Sequence, residues 1–310
     1  MKTPHNNLIL AAISRGADFR AHAALIVAAA TMLITGHGQA AGPTSELFLT
    51  VDPTTTSARV IGIQGTSVLF NVPQSPTAQG QSPIAVGSTV RTLGFGAGTS
   101  FVGAEYTLPG VPTGSTYAFP AALGSQEVDD GTRSASFNYA WSVTNGTAYQ
   151  LNLDWTNPVA LFTLGTASGG RMGITYDVSN NSLWISGLDG TVGTLISDYS
   201  LTGTLLSSFN IGHTGNAALA LDPADGTLWL SKLVSGGTLT EERYARSAPG
   251  SFGATQTLLS SQTYAGISDG VFGGEFRFTG TVVPEPSSAL LVAIGVLGLA
   301  FRGIRNRRNA

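Results

Sequence analysis

Two stretches of this chain are copies of one another, 45 residues apart and without a gap. Gly173-Ile-Thr-Tyr-Asp-Val-Ser-Asn-Asn-Ser-Leu-Trp-Ile-Ser186 matches Ala218-Leu-Ala-Leu-Asp-Pro-Ala-Asp-Gly-Thr-Leu-Trp-Leu-Ser231. Ile174 falls on Leu219, Asp177 on Asp222 and Leu183-Trp184-Ile185 on Leu228-Trp229-Leu230. The preceding apolar runs, Val159 to Leu164 and Thr204 to Phe209, keep the same offset. The repeating unit therefore reads as about 159–203 followed by 204–248. A period of about 40–50 residues holding several short strands predicts the blades of a β-propeller.

The chemistry within the unit agrees. Ile174 and Tyr176 flank Thr175, which is strand alternation with one apolar face. Asp177 and Asp222 open turns, where a carboxylate accepts backbone N–H bonds. Asn180-Asn181 and Asp225-Gly226 tolerate the positive φ of a hairpin. One blade cannot bury both of its faces, so neighbours must stack. Phe137 to Val143 with Ala148 to Leu153 reads as a degenerate third copy, and Thr257 to Ser261 echoes Thr204 to Ser208. Strands are also expected over 46–51, 58–63 and 67–70, a long loop over the Pro- and Gln-rich 71–90, and a turn at Asp129-Asp-Gly131. The 159–232 segment resembles the broad group of bacterial propeller repeats in which a Leu-Trp-Val/Leu strand follows an Asp-initiated turn. At about 45 residues per blade, the roughly 240 residues of the 41–281 domain give five or six blades. A β-sandwich is the alternative all-β architecture; it shares the short strands but predicts no fixed period.

Composition narrows the setting. Gly makes up 40 of 310 residues and charged residues only 11%, a balance that suits short strands joined by tight turns. There is no cysteine, which excludes disulfides and thiolate metal sites. Residues 41–280 hold 8 Lys+Arg against 16 Asp+Glu, a net of −8 that argues against nucleic acid as a partner. The remaining cations sit at the two ends. Lys2, Arg15 and Arg20 precede the apolar run Ala23 to Ile34, and small residues Gly38 and Ala40 follow. That order is a secretory signal peptide over residues 1–40, with cleavage expected after Ala40 by signal peptidase.

The C-terminal segment 282–310 has three parts in order. Pro284-Glu285-Pro286 is extended, because neither proline suits a helix interior. An uncharged apolar stretch follows, read as a transmembrane helix over 287–304. Arg302, Arg305, Arg307 and Arg308 then hold that end on the cytoplasmic side of the inner membrane. This segment resembles the PEP-CTERM sorting signal. The resemblance implies recognition by an exosortase-like membrane protease, processing near Pro284-Glu285-Pro286, and release to the cell surface or extracellular matrix of a Gram-negative bacterium that makes exopolysaccharide.

Signs of catalysis in the core are sparse. His213, in Gly212-His-Thr-Gly215, is the single histidine beyond the signal region, and no Gly-x-Ser-x-Gly elbow accompanies it. Asp177, Asp222, Asp189 and Glu275 are candidates for a glycosidase pair, but two of them recur with the period, as turn residues do. No Asp-x-Asp-x-Asp-Gly loop is present, and Gly94-Phe-Gly-Ala-Gly98 precedes no helix pattern, so neither calcium nor a nucleotide is implied. Trp184 and Trp229 read as blade core, and Trp141 and Trp155 fit either core or a sugar platform. Thr54-Thr-Thr56 is too short for a regular ice-binding array. The expected protein is an exported, non-enzymatic envelope or matrix component without cofactor or metal, with exopolysaccharide as a partner. The alternatives are a secreted carbohydrate-active enzyme and an adhesin or ice-binding module.

Overall fold

The computed structural model describes residues 42–51, 58–75, 81–94, 102–124, 126–164, 173–189, 193–213, 218–234, 238–267 and 270–278. The predicted signal peptide with Ala40, the 282–310 tail and Thr54-Thr-Thr56 lie outside them.

The strands of the described residues form five sheets. Blade I holds β1 (Leu47–Val51), β2 (Arg59–Gln64) and β3 (Ser67–Pro73). Blade II is β4 (Gln81–Val86), β5 (Val90–Gly94), β6 (Val102–Tyr106) and β7 (Pro112–Ala118). Blade III is β8 (Val128–Arg133), β9 (Asn138–Ser142), β10 (Thr147–Leu151) and β11 (Val159–Thr163). Blade IV is β12 (Ile174–Asp177), β13 (Ser182–Asp189), β14 (Gly193–Ser200) and β15 (Leu205–Asn210). Blade V is β16 (Ala218–Leu221), β17 (Leu228–Val234), β18 (Thr238–Tyr244) and β20 (Ser260–Tyr264), while the short β19 (Ala254–Thr255) adds to β15 in parallel. The last strand, β21 (Val271–Phe276), pairs with β1 and becomes the innermost strand of blade I, so the two ends of the domain close the ring. The five innermost strands, β21, β4, β8, β12 and β16, surround one axis.

This is a five-bladed propeller, and the sandwich alternative falls. Five apolar clusters fill the five blade-to-blade interfaces, as stacking of half-buried sheets requires. Trp184 and Trp229, the matched residues of the repeat, are 1% exposed and belong to neighbouring clusters. Each contributes on the order of 3 kcal/mol of burial. The hairpin residues behave as their chemistry requires: Asn181 has φ 54° and Gly226 φ 70°.

Three details differ from the sequence reading. The 45-residue unit straddles two blades, because its opening strand is the outer strand of the preceding blade: β11 belongs to blade III and β15 to blade IV. Periodicity fixes the length of a repeat, not its phase. The described part of 71–90 is largely strand rather than loop, with β3 ending at Pro73 and β4 covering Gln81–Val86. Pro83 is tolerated because β4 pairs only with β5 and needs no second ladder of N–H groups. Asp129-Asp-Gly131 is no turn but the middle of β8, where a Cβ on Gly131 would meet Trp155 at 2.9 Å.

Candidate functional site

The innermost strand of a blade has a neighbour on one side only, so its other N–H groups face the axis and need acceptors. Asp130 supplies them. Its Oδ2 accepts the N–H of Ile174 at 3.0 Å from β12 and of Leu219 at 3.2 Å from β16. Its Oδ1 accepts the N–H of Gly274 at 3.0 Å from β21 and of Gly131 at 2.8 Å from its own strand. One fully buried carboxylate thus ties four of the five blades. Two residues further along, hydroxyls do the same work: Thr132 accepts the N–H of Tyr176 at 3.0 Å and Thr175 that of Leu221 at 3.1 Å. Glu275 closes this layer, accepting the N–H of Phe276 at 2.8 Å. Burial pushes the carboxyls of Asp130 and Glu275 well above the usual range, against the pull of these hydrogen bonds. Glu275 also reaches the depression at one end of the axis, where it meets Asp177 and Asp222, so three of the four carboxylates predicted for a glycosidase pair come together there.

On one face the axis opens into a depression between the turns that follow the innermost strands. Arg133, Tyr176, Asp177, Arg246, Arg277 and Phe278 line it. Phe278 seats the departing chain here, donating its N–H to the Val86 carbonyl at 3.0 Å. Its ring lies 6.5 Å from that of Tyr176 and 5.9 Å from the Arg133 guanidinium. A second depression, floored by Ser179, Asn180 and Trp184, shares Asp177 and Arg246 with the first.

The repeated aspartates turn out to be clamps between blades. Asp177 accepts from the Ser179 hydroxyl, from Trp184 Nε1 at 3.1 Å and from Arg246 Nη1 at 2.6 Å, and Arg246 comes from blade V. Asp222 accepts from Thr44 and Ser45, on the segment leading into blade I. Asp198, also near Asp177, has its pKa pushed up to about 6, chiefly by burial. His213 sits between blades IV and V, its Nε2 2.9 Å from a Glu242 carboxylate oxygen and 3.2 Å from the Tyr244 hydroxyl. Trp141 and Trp155 are fully buried, so neither is a sugar platform. The side chain of Asp189 lies outside the described residues.

Sequence reasoning missed Asp130 and Arg246. A signal for the first existed. One period back from Ile174 lands within one residue of Asp130, a carboxylate where later copies carry apolar residues. Arg246 has no such trace, since one period back from it stands Leu201, which is not charged.

The remaining predicted residues, Pro284, Glu285, Pro286, Arg302, Arg305, Arg307 and Arg308, follow Phe278 beyond the described chain. Residues 282–308 match the PEP-CTERM protein-sorting motif. That match spans the tripeptide and all four arginines, and it implies export with membrane-held sorting by an exosortase-type system. Among the described residues no helix is long and apolar enough to cross a membrane. No curated protein matches the sequence. Solved structures with a similar fold include a nidogen/laminin complex at 12% identity (76% of this chain, 99% of that one, TM-score 0.46). A protein of unknown function from Bacteroides caccae matches at 8% identity (76% and 100%, TM-score 0.40). A streptogramin B lyase matches at 11% identity (70% and 71%, TM-score 0.37).

Proposed function

We propose that this is an exported envelope or matrix protein whose propeller has a binding or structural role and no catalytic one. In this reading signal peptidase cuts after Ala40, and an exosortase-like protease acts near Pro284-Glu285-Pro286. The product then joins the exopolysaccharide-rich surface layer. The observation that carries the reading is the sorting motif at 282–308, which begins six residues after ring-closing β21 ends at Phe276. Supporting it, the fully buried carboxylate of Asp130 is engaged as a cap for backbone N–H groups.

Intact mass of the protein from its native host, combined with cell fractionation, tests this. The expected product starts near Ala41, ends near Pro284 and is found outside the inner membrane. A product that keeps the Arg302–Arg308 cluster and stays in the inner membrane would overturn the sorting part. Replacing Pro284, Glu285 and Pro286 by alanine is expected to block tail removal while leaving the unfolding transition of the propeller unchanged.

A further inference from the structure

Every innermost strand runs from one face of the ring to the other, so the turns divide cleanly. Turns from first to second strand and from third to fourth lie on the face where β21 ends. The remaining connections lie on the opposite face. Both membrane-directed ends of the chain belong to the first face, because Leu47 at the start of β1 pairs with Phe276 at the end of β21.

Exposed apolar side chains share this asymmetry. Of the eleven large apolar side chains that are more than a third exposed among the described residues, eight lie at turns or strand ends of the exit face. Every blade contributes: Leu69, Val111, Phe137, Val178, Leu205 and Leu259 are examples, with Val111 58% and Leu259 44% exposed. Leu164 lies on the opposite side, and Phe252 sits beside Ser208 on the outer edge of blade IV, between the two faces. Arg133 and Arg277 flank the point where the chain leaves. Apolar turn tips gathered on the face from which the chain leaves are the composition of a surface that beds into lipid headgroups.

We propose that, before its tail is removed, the propeller rests with this exit face on the inner-membrane surface, its apolar turn tips in the phospholipid headgroup region. The proposal rests on the sorting reading above. Covalent reach enforces the orientation. Eight residues, or nine steps along the chain, separate Phe278 from the expected start of the span at 287, about 30 Å at full extension. To set the opposite face on the membrane, the chain would have to cross a four-strand blade and then a strand length, about 40 Å in all.

The cysteine-free chain permits a direct test with single labels at the two ends of β8. Ser136 and Glu127 are both exposed, on the exit face and the opposite face respectively. Full-length S136C and E127C, each carrying an environment-sensitive fluorophore, are reconstituted into phosphatidylethanolamine/phosphatidylglycerol vesicles containing a lipid-borne quencher. The label at 136 is expected to be quenched at least about twofold more than that at 127, and V111S with V159S is expected to narrow the difference. Equal quenching, or stronger quenching at 127, in protein that resists carbonate extraction overturns the orientation alone. Protein that washes off in carbonate overturns the sorting reading and the orientation with it.

Discussion

Blades IV and V carry the same sequence pattern and meet their neighbours differently. Position 177 in one and 222 in the other hold the same aspartate at the same turn. Asp177 meets a guanidinium, supplied by the segment after β18; Asp222 meets a hydroxyl and two amides, supplied by the lead into β1. The consequences for charge are opposite. Burial tends to raise Asp177, but the Ser179 hydroxyl and Arg246 outweigh it and hold the carboxyl below the ordinary 3.8. Burial raises Asp222 above 3.8, and the Ser45 hydroxyl offsets only part of it. A second contrast lies one strand away. Ser186 pairs with Ile196 in blade IV, and the equivalent Ser231 pairs with Glu241 in blade V. The repeat thus fixes where an acceptor or a core side chain stands, while the next blade decides what it meets.

The comparison breaks most completely at Asp130, which caps both blades through Ile174 and Leu219. D130A strands four buried N–H groups and is expected to cost about 4 kcal/mol or more, read as loss of the cooperative transition in urea. R246A leaves Asp177 buried without its cation and is expected to cost about 3 kcal/mol by the same measurement.

Glu241 sharpens the contrast with Ile196. Burial pushes its carboxyl up to about 8 from 4.5, so the stability tied to its protonated form is full below 4.5 and lost as pH rises through 8. E241Q is expected to be about 2 kcal/mol more stable than the wild type at pH 9 and near neutral at pH 4, by thermal unfolding at the two values. The smallest effects concern the paired aspartates. S45A is expected to cost about 1 kcal/mol. Asp177 adds stability above 3.8 that disappears as pH falls through its lower folded value, whereas Asp222 adds stability below 3.8 that disappears as pH rises through its higher one. The penalty of D177N should therefore grow from pH 3 to 7 while that of D222N shrinks, and parallel slopes would dissolve the distinction.

What could be read from sequence follows from which interactions are local. The Leu-Trp strands of blades IV and V were legible because alternation and turn chemistry sit within fourteen residues, and the sorting motif because its parts are contiguous. Pro83 misled because proline argues against strand, and only the ring explains why an innermost strand accepts it. Asp130-Gly131 looked like a hairpin corner, since nothing nearby in sequence announces that partners from β12, β16 and β21 converge on it. Arg246 was invisible for a related reason, its partner lying 69 residues away.

Ring closure by β21 also sets a timetable. A chain threaded outward from its N-terminus delivers β1 first and must leave it without its inner partner until residue 276 has crossed. Gly42, two residues past Ala40, is buried in the finished ring. In the export reading proposed above, cleavage after Ala40 would fall in the open stage, before Gly42 is enclosed. The sorting motif follows immediately behind that strand, so the domain completes itself just as its retention tag reaches the bilayer, and any protease that waits for the tag meets a folded protein.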